Sequence, residues 1–401
     1  MMKIRRFFSK GIAYAWYFSG CAAFVRLACR LVPAKRGRIV FDNFHGRGFG
    51  DHQKYIAREL LRRQAPVEIV FLSTDPAKDA ASVPLGIRLA KYAVWSVIRE
   101  LARAEVWCSN QSWTDFIAWG LGKKKSQTYV QTFHGSLGIK RIGADIPSGG
   151  ALRLWLRILR RDAAMIDYLI SNSTWESEFV YRRRFFGCGD VRLLGHARND
   201  ILFENPQSVR AAVREQCGLA PDDRLVLYAP TYRAGGGTEA LLTDFASLRD
   251  ACERRFGGRW KVGVRYHPNW RNRVVAERDG TTVDLTAYPD MQELLVAADV
   301  LVTDYSSCIF DFMLTRRPAF VYASDLDLYE NERGFYYPFS ETPFPVARTP
   351  AELAENIQAF ADADYGRKCE AFLRGKGCVE DGRAASRVAD LILRCVNRIL
   401  V

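Results

Sequence analysis

The chain has 401 residues, more than one hydrophobic core usually supports, so two domains are expected. Its 48% hydrophobic and 26% charged residues exclude a disordered chain, and the ordinary 15 Pro and 30 Gly accompany no repeat or low-complexity tract. Net charge is +13, but nine positive residues (Lys3, Arg5, Arg6, Lys10, Arg26, Arg30, Lys35, Arg36 and Arg38) precede position 39 with no Asp or Glu among them, which leaves +4 for the rest. A mildly basic body with a basic N-terminal arm argues against a nucleic-acid binder with a broad cationic face and for an anionic membrane surface.

Residues 11–25 (GIAYAWYFSGCAAFV) are apolar and lie between basic flanks, yet are shorter than the roughly 20 residues a spanning helix needs. A signal peptide, a core helix and an interfacial anchor are the alternatives. No small-x-small cleavage site follows cleanly, and Tyr14, Trp16, Tyr17 and Phe18 suit the membrane interface, so residues 1–37 read as a membrane-associated arm. From residue 38 the pattern alternates. Strands are expected at 38–44, 67–72, 106–109, 128–133, 168–171 and 191–194, with helical spacing between them. A second series is expected at 225–228, 261–266, 282–285, 300–302 and 319–322. The fold class is therefore α/β, with two Rossmann-like doubly wound domains facing a cleft. Their expected bounds are 38–207 and 208–375, followed by a C-terminal helical segment at 376–401. HGRGFGD after the first strand is neither G-x-G-x-x-G nor a P-loop and reads as a tight strand-to-helix turn. Ten cysteines form no C-x-x-C pair and several sit in apolar runs, which fits reduced thiols in a reducing cytosol.

The stretch ADVLVTDYSSCIFDFMLTRRPAFVY (298–322) reads as strand, hydroxyl-rich turn, helix and strand. Ser306 or Ser307 is expected to cap the helix, with Thr303 and Asp304 at the strand's C-terminal edge. Backbone N–H groups, a positive dipole end and hydroxyls there suit an anion; the alternative is a capped helix with no ligand. His134, ending a strand in TYVQTFHGSLGIKRIG, is a candidate general base with Lys140 and Arg141 nearby. His267, in RYHPN, ends another strand in the second half, and Arg265 shares its face. Arg233, between a strand and a glycine run, is a candidate phosphate clamp. His196 reads as a loop residue. G-x-S-x-G and H-E-x-x-H are missing from the sequence, so the chemistry rests on His, Arg and hydroxyls.

The stretches QTFHGSLGIKRIG, GHARND, YAPTYR, RYHPN, VLVTDYSSCIFDF with RRPAFVY, and LYENERGFYY occur in order from Gln131 to Tyr337, in a resemblance that covers about Arg38 to Tyr337. Together they resemble the CDP-glycerol glycerophosphotransferase family of teichoic-acid primases and polymerases. The resemblance implies a GT-B-like fold and peripheral attachment at the cytoplasmic face of the membrane. It also implies transfer of glycerol phosphate, or a related polyol phosphate, from a CDP-alcohol to a lipid-linked or growing polymer, with release of CMP and no required cofactor or protein-bound metal. By the same resemblance His134 and His267 are catalytic, His267 facing the donor pyrophosphate. Arg233, Thr303, Ser306 and Ser307 hold that pyrophosphate, and Asp311 orients a donor hydroxyl. The chain departs from the family pattern at Ser136, where Thr is frequent, and at Ala197, where a proline is usual. The rival readings are a nucleotide-sugar glycosyltransferase in the same cleft and a non-catalytic protein of an envelope-polymer complex.

Overall fold

The computed structural model describes residues 20–142, 152–204, 206–220, 222–231, 233, 240–266 and 280–396. Two sheets organise them. Strands β1 (Arg38–Asp42), β2 (Glu68–Ser73), β3 (Ile87–Lys91), β4 (Val106–Ser109), β5 (Thr128–Gln131), β6 (Tyr168–Ser171) and β7 (Asp190–Leu193) form the first, in the order β3-β2-β1-β4-β5-β6-β7. Strands β8 (Asp223–Tyr228), β9 (Arg259–Val264), β10 (Thr282–Asp284), β11 (Val300–Thr303), β12 (Ala319–Tyr322) and β13 (Val346–Ala347) form the second, in the order β10-β9-β8-β11-β12-β13. Every pairing between these strands is parallel. Parallel sheets are covered on both faces, which is why β1, β4, β5 and β11 are buried along their whole length.

Side chains alternate between the two faces of the first sheet. Val40, Val70, Trp107 and Tyr129 pack into one core. Ile39, Phe41, Ile69, Phe71, Cys108 and Val130 enter another that is continuous with the core of the second sheet. The two halves therefore share apolar packing. The last described helix, Ala384–Val396, returns to the first half and packs on the helix Asp51–Arg62. Asp200 fixes its start by accepting from Ala384 N at 2.9 Å and Ala385 N at 2.7 Å, so two of its first free N–H groups are satisfied.

All eleven expected strands match to within two residues at each end; 38–44 and 128–133 are each two residues longer than the β1 and β5 observed, and 261–266 is shifted two residues toward its C-terminus. Two edge strands were not expected. In β3 only Ala90 is buried, so no apolar run marks it, and β13 has two residues. The tight-turn reading of HGRGFGD agrees with Gly46 and Gly48 at φ 76° and 77°. A Cβ on Gly46 would stand 2.6 Å from Tyr92 Cβ. All ten cysteines are unpaired thiols. Of the basic arm, only the helix Cys21–Leu31 and the segment after it are described; the aromatic residues before Gly20 lie outside the described residues. Among the described residues no helix is long and apolar enough to cross a membrane.

A buried ion cluster also joins the halves. Lys54 Nζ, on the helix Asp51–Arg62, lies 2.6 Å from Asp290 Oδ2 and 2.5 Å from Glu293 Oε1. Removing one member of such a group strands the others in low dielectric. Lys54→Met should lower the unfolding free energy in urea by about 3–5 kcal/mol. A loss under about 1 kcal/mol, the worth of an exposed pair, would show that this contact does not hold the halves.

Candidate active site

The site is built where the C-terminal ends of β1, β4 and β5 meet the second half. In the first sheet the order reverses between β1 and β4, and in the second between β8 and β11, and crevices for ligands open at such points. Beyond β4, Asn110 Nδ2 donates to Asn43 Oδ1 at 2.9 Å, while Asn110 Oδ1 accepts from Phe44 N at 2.9 Å. This fixes the Asn110 carbonyl, which lies 3.0 Å from His134 Nδ1. A hydrogen on Nδ1 directed at that carbonyl leaves Nε2 as the unprotonated nitrogen. The amide nitrogen Nε2 of Gln111 also lies 3.1 Å from Nδ1, so with the hydrogen on Nδ1 the Gln111 amide accepts it only when turned over to present its oxygen.

The imidazole stands against Phe133, 4.4 Å between ring centres, and Phe44, 5.3 Å. Burial pushes its pKa down from 6.5 to about 4, aided by Arg198, Arg184 and Lys140 and opposed by the Asn110 hydrogen bond. His134 is therefore neutral at pH 7. Gly135 follows because a Cβ there would stand 2.8 Å from the Phe133 ring.

His134, Gly135, Gly138, Lys140, Glu176, Ser307 and Arg333 line a cavity of about 130 Å³, with apolar walls from Phe133, Ile142 and Val180. Both halves contribute: Gly138 backs directly onto Ser307. Lys140 is held by a bridge to Phe335. Burial lowers its pKa to about 8, and no carboxylate of the described residues lies within 4.0 Å of its ammonium. Arg333 donates to Arg141 O at 2.9 Å through Nε and borders the same space. Two cations, a serine and a neutral imidazole suit an anionic ligand carrying a hydroxyl-bearing partner. Glu176 opens a π-helical turn and is backed by His196, whose Nε2 is 3.4 Å from Glu176 Oε2. His196 lies, as expected, in a loop, between β7 and the turn Ala197–Asn199, but is fully buried there, and its pKa is raised by Glu176 and Glu380 against the opposing effect of burial.

The remaining expected residues are distributed differently. Arg233 is occupied: Nε and Nη2 donate to Asp325 at 2.8 and 3.0 Å, Nη1 donates to Asp304 at 2.9 Å, and its plane lies 4.9 Å from the Tyr305 ring. Its guanidinium is an internal brace, not an open clamp. Asp304 accepts from Thr231 N at 2.8 Å, and Thr303 Oγ1 donates to Ala229 O at 2.6 Å, so both tie β11 to β8. Ser307 makes no capping bond and is free to face the cavity. Ser306 Oγ accepts weakly from Cys308 N at 3.5 Å.

Asp311 is buried, with its oxygens accepting from Arg198, Asn199 and Gln292, so it is a counterion between the halves and presents no free carboxylate. Arg265 donates to Met291 Sδ at 3.0 Å and Tyr288 O at 3.4 Å, and its Nε is buried without a partner. His267 lies outside the described residues. Sequence reasoning did not single out Glu176, Arg333, Asn110 or Arg198. Arg198 and Arg333 do lie in GHARND and LYENERGFYY, where the signal was the stretch and not the residue.

Two all-parallel α/β sheets with a cavity at their seam make this a GT-B-like protein. The same architecture appears in the UDP-N-acetylglucosamine 2-epimerase from Listeria monocytogenes, at 13% identity and a TM-score of 0.54 over 91% of this chain and 98% of that one. The chain belongs to the CDP-Glycerol:Poly(glycerophosphate) glycerophosphotransferase family, whose model matches residues 23–394.

The teichoic acid poly(glycerol phosphate) polymerase of Staphylococcus epidermidis is 29% identical over 369 residues, 88% of this chain and 50% of that protein. The Bacillus subtilis protein of the same name is 28% identical over 384 residues, 90% and 49%. The chain thus spans about half the length of these two relatives. It matches the teichoic acid glycerol-phosphate transferase of Staphylococcus aureus over 89% of itself and 92% of that protein, at 27% identity. The structure of the wall teichoic acid polymerase TagF with one histidine replaced by alanine superposes with a TM-score of 0.81 at 26% identity, covering 99% of this chain and 100% of that one. A variant of TagF with a histidine replaced by asparagine, soaked with CDPG, gives the same score.

Burial of His134 is directly measurable. In histidine-labelled protein its imidazole should titrate with a midpoint near pH 4, and should carry its hydrogen on Nδ1 at pH 7. A midpoint at the ordinary 6.5 would place the ring in solvent.

Proposed function

We propose that this chain transfers glycerol phosphate, or a related polyol phosphate, from a CDP-linked alcohol to a hydroxyl of a lipid-linked or growing envelope polymer, releasing CMP. The observation that carries this reading is a neutral histidine and an unpaired lysine in one cavity at the seam of the two halves, in a chain of this family. His134 Nε2 accepts the proton of the acceptor hydroxyl as its oxygen attacks the phosphorus bearing the alcohol. The bond from that phosphorus to the bridging oxygen of the donor pyrophosphate breaks, and CMP leaves with the electron pair. Lys140 and Arg333 balance the charge gathering on the departing phosphate. With a pKa near 4, protonated His134 is a strong acid and passes its proton on readily, to solvent or to the leaving phosphate.

A panel of CDP-glycerol, CDP-ribitol and nucleotide sugars, offered with a lipid-linked acceptor, tests the reaction through the nucleotide released. CMP from a CDP-alcohol alone is expected; release only from a nucleotide sugar would make this a glycosyltransferase, and turnover of no donor would favour a binding protein. His134→Ala should reduce turnover by about 10²–10⁴-fold while donor binding stays near wild type. Lys140→Ala should weaken donor binding about tenfold or more, the worth of one charge-assisted hydrogen bond.

We also propose that the chain works peripherally at the cytoplasmic face of the membrane. The helix Cys21–Leu31 turns Ala22 and Cys29 inward and leaves Phe24, Leu27 and Leu31 exposed at 73%, 55% and 76%, on one face with Arg26 and Arg30 nearby. An apolar face with basic neighbours suits an anionic bilayer. Replacing those three residues by Ser spares the packed face and should release the protein from phosphatidylglycerol vesicles; unchanged partitioning would remove this helix from the membrane contact.

A further inference from the structure

The loop 134–136 carries His134 but belongs to neither strand nor helix, and Phe133 and Leu137 beside it hold φ of 53° and 43°. Non-glycine residues stay in this region only when their surroundings impose it. The surroundings are polar and closed on themselves. Arg198 donates through Nη1 to His134 O at 3.0 Å and through Nη2 to Gly135 O at 3.4 Å. Its Nε donates to Asp311 Oδ2 at 3.0 Å. Asn199 Nδ2 donates to Asp311 Oδ1 at 3.1 Å and to Glu380 Oε1 at 2.9 Å. Asn172 Nδ2 donates to Glu380 Oε1 at 3.2 Å and to Ser136 Oγ at 2.9 Å, which returns to the loop.

We propose that this closed ring of Arg198, Asp311, Asn199, Glu380 and Asn172 positions the His134 loop, gripping its carbonyls at one end and the Ser136 hydroxyl at the other. None of the five touches the reacting atoms in this reading; they are positioning residues. The ring draws on four separate pieces of the chain. Arg198 and Asn199 come from the turn Ala197–Asn199, Asp311 from the helix Cys308–Met313 of the second half, and Asn172 from the end of β6. Glu380 comes from the segment that crosses back to the first half. That segment is pinned beside Asn172 by Val379 N to Asn172 O at 2.9 Å and Thr174 N to Gly377 O at 3.1 Å. The base loop is therefore set only when both halves and the crossing segment are in register. Ser136 is buried and its hydroxyl is the loop's one side-chain contact with the ring, which gives a physical reason for a hydroxyl residue after His-Gly.

The proposal rests on His134 being the base, so its test includes a readout that needs no substrate. Ser136→Ala removes the Ser136–Asn172 bond, Asn172→Ala removes that bond and the one to Glu380, and the near-isosteric Glu380→Gln replaces the charged acceptor of Asn172 and Asn199 by a neutral amide; the melting temperature of each variant identifies any that fails to fold. In histidine-labelled protein each should disturb the single Nδ1–H tautomer of His134. Against a CDP-alcohol each should lower kcat by about 10–100-fold with donor KM unchanged. The Ser136→Ala/Asn172→Ala double variant should be no worse than Asn172→Ala alone, since Asn172→Ala already removes the bond that Ser136 makes. Unaltered His134 resonances in folded variants, wild-type kcat, or additive losses in the double variant would each overturn the ring. If the wild-type protein turns over no CDP-alcohol, the resonances still decide the ring, and that failure belongs to the transferase reading.

Discussion

The buried guanidinium of Arg198 is the constraint on which the rest of the site depends. A charge this deep is tolerable only when paired and fully hydrogen-bonded. Arg198 meets that condition with Asp311 on the far side of the seam, with Asp51 3.4 Å away, and with two loop carbonyls. Nearby carboxylates hold its pKa above the ordinary value although burial opposes this. Pulling the halves apart would uncover a carboxylate on one side and leave a cation unpaired on the other. The electrostatics that would be costly in a single-sheet protein thus enforce the relative placement of two sheets.

The cavity shows the complementary arrangement. Where Arg198 and Arg233 are saturated by carboxylates, Lys140 has none within reach among the described residues and is pushed by burial toward neutrality. A donor with unused hydrogen-bonding capacity at the edge of a cavity is where an anion gains most. His134 is likewise shifted down, chiefly by burial, with surrounding cations adding to the effect. The same positive surroundings that favour an anionic ligand keep the imidazole neutral and able to accept a proton. Saturated and unsaturated cations thus separate structural from functional roles more clearly than residue type does.

Arg233 and Asp311 illustrate the limit of reading single residues. Both are charged residues in the stretches that carry the family resemblance, Arg233 beyond the end of β8 and Asp311 inside the helix Cys308–Met313. Yet one is locked by Asp304 and Asp325 and the other by Arg198. Asp325 is about 90 residues from Arg233, and Arg198 is 113 from Asp311, so no local pattern announces either pairing. Strands fared better. A run such as Val300 to Val302 is apolar because a parallel strand is buried on both faces, and that requirement is local. The edge strand β3, buried only at Ala90, carries no such requirement and left no trace.

The sequence by itself determined the fold class, the two series of strands, the family through its ordered motifs, and His134 at the end of a strand. Hydrophobic period and turn residues act over a few positions, and motifs persist in order whatever their contacts. Only the tertiary structure decided which charges are internal braces and which face the cavity, that Lys140 and Arg333 share a space with His134, and that Glu380 reaches the loop from the far end of the chain. Those outcomes depend on burial and on partners brought together across the seam, and the free energy of a buried charge is a property of its whole surroundings.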